Sequence, residues 1–281
     1  MVSLVTLNVK GLRDKNKRFD IFQTLRNENF DIIALQETHC DTETLETWSE
    51  EWGGKSKWST YSSDKAGVAF LFSPKIDLKI LESKMDNYGR ILSTIVEIEK
   101  HKMQLVNVYG LNNYNLQQTE NFFQSVDEYI SPHIQPIILG DFNMVIDAAN
   151  DRAGGIIANY HTFGKEALTE LIEAYDLFDV WRNYNPNKNE YTWRTKSSDI
   201  CSRLDRIYAP QALKPNIISS SIQHFIWSDH DVCEMRFSLP TSAPQGRGYW
   251  CLNIQYLEHE EYQQRIRDFQ NLCQIDIDSI C

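Results

Sequence analysis

Pro136-Ile137-Ile138-Leu139-Gly140-Asp141-Phe142-Asn143 decides the reading of this chain. Pro136 to Leu139 make a short, continuous apolar run, the pattern of a strand buried on both faces. Gly140 follows with no spacer, and then a carboxylate and a carboxamide stand two residues apart. At the end of a buried strand both side chains can face one cleft. There Asp141 can accept a proton from water and Asn143 can donate to an anionic oxygen. The plainer alternative is an Asx turn that only stops the strand.

Working outward, the first 240 residues alternate between strand-like and helix-like stretches. Val2–Val9, Asp31–Glu37, Gly67–Phe72, Ile91–Glu99 and Met103–Tyr109 read as strands. Lys17–Asn29, with apolar Phe19, Phe22 and Leu25, reads as an amphipathic helix, as do Gln117–Tyr129 and Thr162–Tyr175. Glu190–Arg194 and Ser202–Tyr208 look like a strand pair around the polar segment 195–199. Ile222–Ile226 leads into Ser228-Asp229-His230, and Asp231–Phe237 is the last strand. The alternation predicts an α/β fold. Four of the apolar runs end in a polar residue: Asn8, Glu37, Tyr109 and Asp141. In layered α/β folds such strand ends converge at one rim, where sites form.

The chain has 281 residues, enough to bury a full core without disulfides or structural metals. It is 42% hydrophobic and 24% charged, near the globular average, so wholesale disorder is excluded. Its net charge of −11 argues against a protein that coats nucleic acid non-specifically, because that binding rests on Lys and Arg neutralising phosphates. A nuclease with a local basic groove remains compatible. No apolar run approaches the length that spans a bilayer, and Met1-Val2-Ser3-Leu4 carries no secretory signal, so the expectation is no membrane and no secretion. The six cysteines show no zinc-finger spacing and read as free thiols. Residues 240–248 are rich in Pro, Gly, Ser and Thr, a linker signal, and 256–272 is a charged, helix-like stretch.

Three further clusters can carry chemistry. In Ser228-Asp229-His230, an imidazole beside a carboxylate can donate to phosphate, while the carboxylate can bind metal. In Ser202-Arg203-Leu204-Asp205, Asp205 can hold an imidazole in one tautomer; alternatively it only pairs with Arg203 or Arg206. In Leu35-Gln36-Glu37, a strand-end carboxylate suits Mg²⁺, which takes one or two carboxylates plus substrate phosphate oxygens.

The ordered set Asn8, Gln36-Glu37, Tyr109, Gly140-Asp141-Phe142-Asn143, Ser202-Arg203-Leu204-Asp205 and Ser228-Asp229-His230 resembles the endonuclease/exonuclease/phosphatase superfamily. More closely, the chain resembles the apurinic-endonuclease-like domain of LINE-type non-LTR retrotransposons. Leu7-Asn8-Val9-Lys10-Gly11-Leu12, Asp151-Arg152-Ala153-Gly154-Gly155, Asp176-Leu177-Phe178-Asp179-Val180-Trp181-Arg182 and Tyr191-Thr192-Trp193 carry that likeness. Gly246-Arg247-Gly248-Tyr249-Trp250-Cys251-Leu252-Asn253 resembles the segment that joins the nuclease to the reverse transcriptase. Cys251 departs from the usual Trp-Lys-Leu-Asn pattern, and Tyr109-Gly110-Leu111-Asn112 departs from Tyr-Ala-Pro-Asn.

The resemblance implies a four-layered α/β sandwich of the DNase I type, two mixed sheets face to face with helices outside. It implies an endonuclease domain over 1–239, then a linker and partly helical segment over 240–281 leading toward a reverse transcriptase. It implies a Mg²⁺-dependent enzyme, with Mn²⁺ able to substitute, that nicks one DNA strand to leave a 3′-hydroxyl primer for reverse transcription of element RNA. Glu37, Asn8 and Asp229 would lie at the metal. Asp141, Asn143, His230, Asp205, Tyr109 and Asp229 would carry catalysis. Thr192, Arg194, Lys196, Ser202 and Arg203, in or beside the hairpin 195–201, would meet double-stranded DNA. The partners implied are DNA, element RNA and the reverse transcriptase of the same polyprotein, acting in the nucleus and without an obligate oligomer. The alternatives are a host AP endonuclease, a phosphatase of the same superfamily, or a non-catalytic module that kept the fold.

Overall fold

A computed structural model describes residues 1–112, 115–155, 162–197, 199–239, 260, 263–265, 267 and 268. The chain divides into two units, Met1–Pro240 and Thr241–Cys281. The segment 246–253, and most of the helix expected over 256–272, lie outside the described residues; 260, 263–265, 267 and 268 are helical.

The first unit is built on two six-stranded sheets. Its strands in chain order are β1 (Val2–Asn8), β2 (Ile32–Gln36), β3 (Ser56–Ser59), β4 (Val68–Phe72), β5 (Leu78–Met85), β6 (Ile91–Ile98), β7 (His101–Tyr109), β8 (Pro136–Asp141), β9 (Arg152–Ala153), β10 (Leu177–Asp179), β11 (Trp193–Arg194), β12 (Cys201–Ser202), β13 (Asp205–Pro210), β14 (Ile217–Gln223) and β15 (Val232–Phe237). One sheet runs β14-β15-β1-β2-β4-β3 and the other β10-β13-β8-β7-β6-β5, while β11-β12-β9 form a small third sheet. Both large sheets are mixed: β1 pairs with β2, and β7 with β8, in parallel, and the remaining pairs are antiparallel.

Three apolar clusters separate four layers. Leu4, Ala34, Phe70, Leu105, Leu139, Ile207 and Met235 meet between the sheets. Helices α1 (Lys15–Asn27) and α2 (Leu45–Trp52) cover the outer face of the first sheet, where Phe22, Leu25, Trp48 and Trp52 pack on Val5, Ile33 and Leu71. Helices α3 (Leu116–Ser125) and α4 (Lys165–Ala174) cover the second, with Phe123 and Leu168 on Val106 and Ile138. The expected four-layered α/β sandwich is what the chain forms. Among the described residues, no helix is long and apolar enough to cross a membrane.

The two sheets are pinned by polar contacts as well. Asn107 on β7 donates from Nδ2 to the carbonyls of Leu35 and Ala69 in the facing sheet, at 3.0 and 2.9 Å. Its Oδ1 accepts from Gln36 Nε2 at 2.7 Å. A satisfied polar group in an otherwise apolar interface specifies one alignment of the layers.

Local differences from the sequence reading have physical causes. The buried stripe of α1 is Arg18, Ile21, Phe22 and Leu25, so Phe19 faces solvent at 60% exposure. Arg18 takes the inward position because it pairs with Glu51 at 2.6 Å and stacks over Trp48. The helix expected over 117–129 ends at Ser125 and continues as a 3-10 turn over Val126–Tyr129. The strand pair expected from Glu190–Arg194 and Ser202–Tyr208 is split. Cys201–Ser202 pairs with Trp193–Arg194, whereas Asp205–Pro210 crosses to the second sheet beside β8. The run 222–226 only begins in a strand, Ile217–Gln223; beyond it Asp231 Oδ1 accepts the backbone N–H of Phe225 and meets the ring of His224. Helix α2, strands β3, β5 and β10, and the short helix α5 (Val180–Tyr184) are additional to the sequence reading.

Candidate active site

Strand register brings the polar strand ends together. Asn8 pairs with Gln36 across β1 and β2, Tyr109 with Asp141 across β7 and β8, and Asp205 with Asp141 across β13 and β8. Gly140 is required here by contact: a Cβ at this position would lie 1.9 Å from the Val108 carbonyl oxygen. Only glycine lets β8 approach β7 closely enough to present Asp141.

Asp141 is fully buried. Its Oδ1 accepts the backbone N–H of Asn143 at 2.9 Å, and its Oδ2 accepts from Asn8 Nδ2 at 2.9 Å. Asn143 adopts a left-handed backbone (φ 51°), and its Nδ2 donates to the Gly110 carbonyl at 3.0 Å. His230 stands opposite. Its Nδ1 is 2.8 Å from Asp205 Oδ2, and its Nε2 lies 3.9 Å from Asp141 Oδ2. The segment around it is docked on β1, because Ser228 Oγ donates to the Asn8 carbonyl and accepts from His230 N–H.

This geometry sets the charges. Burial alone would push His230 toward the neutral ring, but the carboxylates of Asp205 and Asp141 outweigh it and hold the imidazole protonated well above its ordinary range. Burial, reinforced by Asp205, raises Asp141 above the usual carboxylate range. A carboxylate with raised proton affinity beside a cationic imidazole is a matched acid–base pair near neutral pH.

Glu37 forms the facing wall. It too has a left-handed backbone (φ 51°), and its carboxylate accepts a hydrogen bond from the Tyr109 hydroxyl. Burial, followed by the charges of Glu37 and Asp141, pushes the Tyr109 phenol far upward, so it remains a neutral donor. The Arg90 guanidinium lies over its ring, 4.7 Å from the centroid. Glu37, Asn143, Asp229 and His230 line one cleft of about 700 Å³, together with Lys10, Arg152 and Trp193.

Two oxygen-rich groups could serve a cation. Asp141, Asp205 and His230 have ligand atoms within 4.8 Å of one another. Both oxygens of Asp141 are already hydrogen-bonded and the His230 Nδ1 is committed to Asp205, so this group is better built for proton handling. Asp205 Oδ1 is buried and has no hydrogen-bond partner among the described residues. Glu37 lines the open cleft and supplies hard carboxylate oxygens, the donor chemistry that magnesium-class cations prefer. Asn8 Oδ1 also accepts from Lys10 N–H at 2.9 Å.

The Endonuclease/Exonuclease/phosphatase family model matches residues 5–230, which contain every one of these side chains. The chain belongs to this family. Among its relatives, the Transposon TX1 uncharacterized 149 kDa protein of Xenopus laevis is 32% identical over 272 residues, covering 95% of this chain. The alignment takes in 20% of that protein, so the chain spans about a fifth of its length. The exodeoxyribonuclease of Bacillus subtilis is 26% identical over 257 residues, covering 83% of this chain and 98% of the relative. Among solved structures, the AP endonuclease LMAP of Leishmania major shares the fold with a TM-score of 0.73 at 18% identity, over 85% of this chain and 88% of that one. The 3′ phosphatase NExo from Neisseria, bound to a product DNA hairpin, gives 0.68 at 20% identity, over 85% and 100%. As a member of the family the chain is a metal-dependent hydrolase of the nuclease type.

The residues expected at the DNA surface of this family member divide. Arg203 is buried, pairing with Asp151 at 2.8 Å and Asp179 at 2.7 Å and lying over Trp181. Thr192 is buried as well, and its Oγ1 accepts the backbone N–H groups of Leu204 and Asp205 at 2.9 and 3.0 Å. Neither reaches solvent, which corrects the expectation of direct contact for both; they support the strand that carries Asp205. Ser202 has little exposure but lines the cleft, where its Oγ accepts from Arg152 Nη1 at 3.2 Å. Arg194 is half-buried and pairs with Asp231, while Lys196 is exposed. Asp229 is engaged by the Lys10 ammonium at 2.6 Å. Lys10 and Arg152 were missed as site residues in the sequence. For Lys10 a signal existed: it follows Asn8 by two residues, as Asn143 follows Asp141.

Proposed function

We propose that residues 1–239 form a Mg²⁺-dependent endonuclease domain that nicks one strand of double-stranded DNA. The 3′-hydroxyl it leaves would prime reverse transcription of the RNA of a non-LTR retrotransposon. Residues 240–281 would lead toward the reverse transcriptase of the same polyprotein, and the work would be done in the nucleus. One observation carries the chemistry: the His230–Asp205 pair faces buried Asp141 beside a cleft that Glu37 also lines, with the Glu37 carboxylate held by the Tyr109 hydroxyl. The likeness to a transposon protein across 95% of the chain supports the biological setting.

In this reading Asp141 accepts a proton from the attacking water, which Asn143 helps to position. The water oxygen bonds to phosphorus, the bond from phosphorus to the 3′ oxygen breaks, and the leaving 3′ oxygen takes up a proton from solvent water. The products are a 5′-phosphate and a 3′-hydroxyl. His230, held by Asp205, donates to a non-bridging oxygen as charge accumulates. Tyr109 donates to Glu37 and fixes that carboxylate. Glu37, with Asn8 adjoining, would hold the divalent ion, which supplies Lewis acidity toward the phosphate and the leaving oxygen. Lys196 and Arg194 would meet the DNA backbone and position the duplex.

The test is a supercoiled-plasmid assay with Mg²⁺, with Mn²⁺ and with chelator, followed by sequencing of the nicked ends. Metal-dependent open circles with 3′-hydroxyl ends at recurrent sites support the proposal. Intact plasmid beside efficient cleavage of an abasic duplex would replace it with a repair function, a reading favoured by the fold of the AP endonucleases.

A further inference from the structure

Lys10 and Asn143 occupy equivalent places at the ends of strands from different sheets. Asn8 Oδ1 accepts Lys10 N–H at 2.9 Å, and Asp141 Oδ1 accepts Asn143 N–H at 2.9 Å. Both acceptors end a strand, and both following residues adopt left-handed backbones, at φ 48° for Lys10 and 51° for Asn143. That conformation is uncommon for a residue with a Cβ and persists where surrounding bonds fix it. Around Lys10 they do: Val9 N–H and Gly11 N–H donate to the carbonyls of Gln36 and Glu37 at 3.0 and 2.7 Å. The backbone thus aims Lys10 into the cleft.

There its ammonium lies 2.6 Å from Asp229 Oδ2, in the cleft that Glu37 and His230 also line. Lys17 adds a second positive charge behind it, with Nζ on the carbonyls of Val9 and Lys10 at 2.7 and 2.8 Å. A divalent ion at Asp229 would have to displace Lys10 and accept repulsion from Lys17.

Building on the nuclease reading, we propose that Lys10 is a catalytic residue that serves as the site's second cation: it holds Asp229 in place of a metal, meets a phosphate oxygen of the substrate, and leaves one divalent ion, at Glu37. The proposal separates two carboxylates of similar chemistry. Glu37 is left for metal, and Asp229 is neutralised by the chain itself.

Mn²⁺ titration of the full chain, followed by the electron spin resonance of free Mn²⁺, tests this without any cleavage readout. Wild type should take up one equivalent, and Asp229→Asn should leave both count and affinity unchanged. Lys10→Met should gain a second equivalent, and the double variant Lys10→Met with Asp229→Asn should lose it again. Two equivalents in wild type, or a single equivalent in Lys10→Met, overturn the role of Lys10 alone. No uptake by wild type, or uptake that survives Glu37→Gln, overturns the metal assignment at Glu37 and this proposal with it.

Discussion

Asn8 on β1 donates from Nδ2 to Asp141 Oδ2 on β8 across 2.9 Å, joining two strand ends that belong to different sheets. The bond favours the ionised form of Asp141, against burial and the nearby Asp205, which together raise its pKa to about 6. If ionised Asp141 is the base, activity rises with pH through that value. Asn8→Asp replaces the donor with a second carboxylate and should move the acid limb of kcat/KM to higher pH. Asn8→Ala should lower the rate at every pH. A limb unmoved by Asn8→Asp would remove Asp141 from the role of base.

The imidazole sets the opposite limb. If His230 donates to the phosphate as proposed, it acts protonated; Asp205 and Asp141 raise its pKa to about 10 against the effect of burial, so wild type should stay active well into alkaline solution. His230→Ala and Asp141→Ala should each cost at least about 10²–10³ in rate, the usual loss for a transition-state donor or base. Asp205→Asn should bring the alkaline limb down toward neutrality. Nicking rates at pH 7 and pH 9 for wild type and Asp205→Asn settle this, and equal pH ratios would count against the pairing.

Stability has a separate centre. Asp151 is buried and takes Arg203, Arg206 and Arg182 at 2.8, 3.0 and 2.8 Å. Burial alone would raise its pKa, but the guanidinium charges overcome that and hold it far below the usual carboxylate range. Because the folded value is depressed, its contribution is complete above the ordinary carboxylate range and is lost only as pH falls through the folded value. Asp151→Ala strands buried guanidinium charges and should cost about 3–5 kcal/mol. Urea unfolding at pH 7 measures it, and a loss below about 1 kcal/mol would show that the cluster relaxes onto Asp179.

The hairpin residues should separate by assay. Lys196→Ala should weaken DNA binding uniformly across sequences and reduce the salt slope by about one. Thr192→Ala leaves two backbone N–H groups without their acceptor and should lower stability by about 1–3 kcal/mol. Anisotropy over a salt series, beside thermal melting, distinguishes the two. A stable Thr192→Ala with impaired DNA binding would return Thr192 to the interface.

The chemistry was more legible in the sequence than its scaffolding. Short apolar runs that stop at Asn8, Glu37, Tyr109 and Asp141 encode both a buried strand and the point where it meets solvent, so their convergence could be read directly. The four layers came from the resemblance, since periodicity alone gives only alternating elements. Arg203 and Thr192 were misplaced because the groups that bind phosphate also satisfy buried partners. The partner that buries Arg203, Asp151, lies 52 residues away and leaves no local trace. Helix α2 is a single eight-residue segment, and β5 alternates poorly because it is an exposed sheet edge. Lys10 stands two residues past Asn8 in the sequence, but its place in the cleft depends on a left-handed backbone that the residue pattern does not announce.

The pinning of the sheets through Asn107 has a consequence for how the enzyme would fail. Asn8 and Glu37 belong to one sheet and its margin, Tyr109, Asp141 and Asp205 to the other, so the reacting groups form a gauge of interlayer alignment. A small slip between the sheets would leave each strand intact, and melting nearly unchanged, while separating base from metal ligand. Loss of the Asn107 bonds that align the sheets should therefore cost more in turnover than its effect on unfolding accounts for.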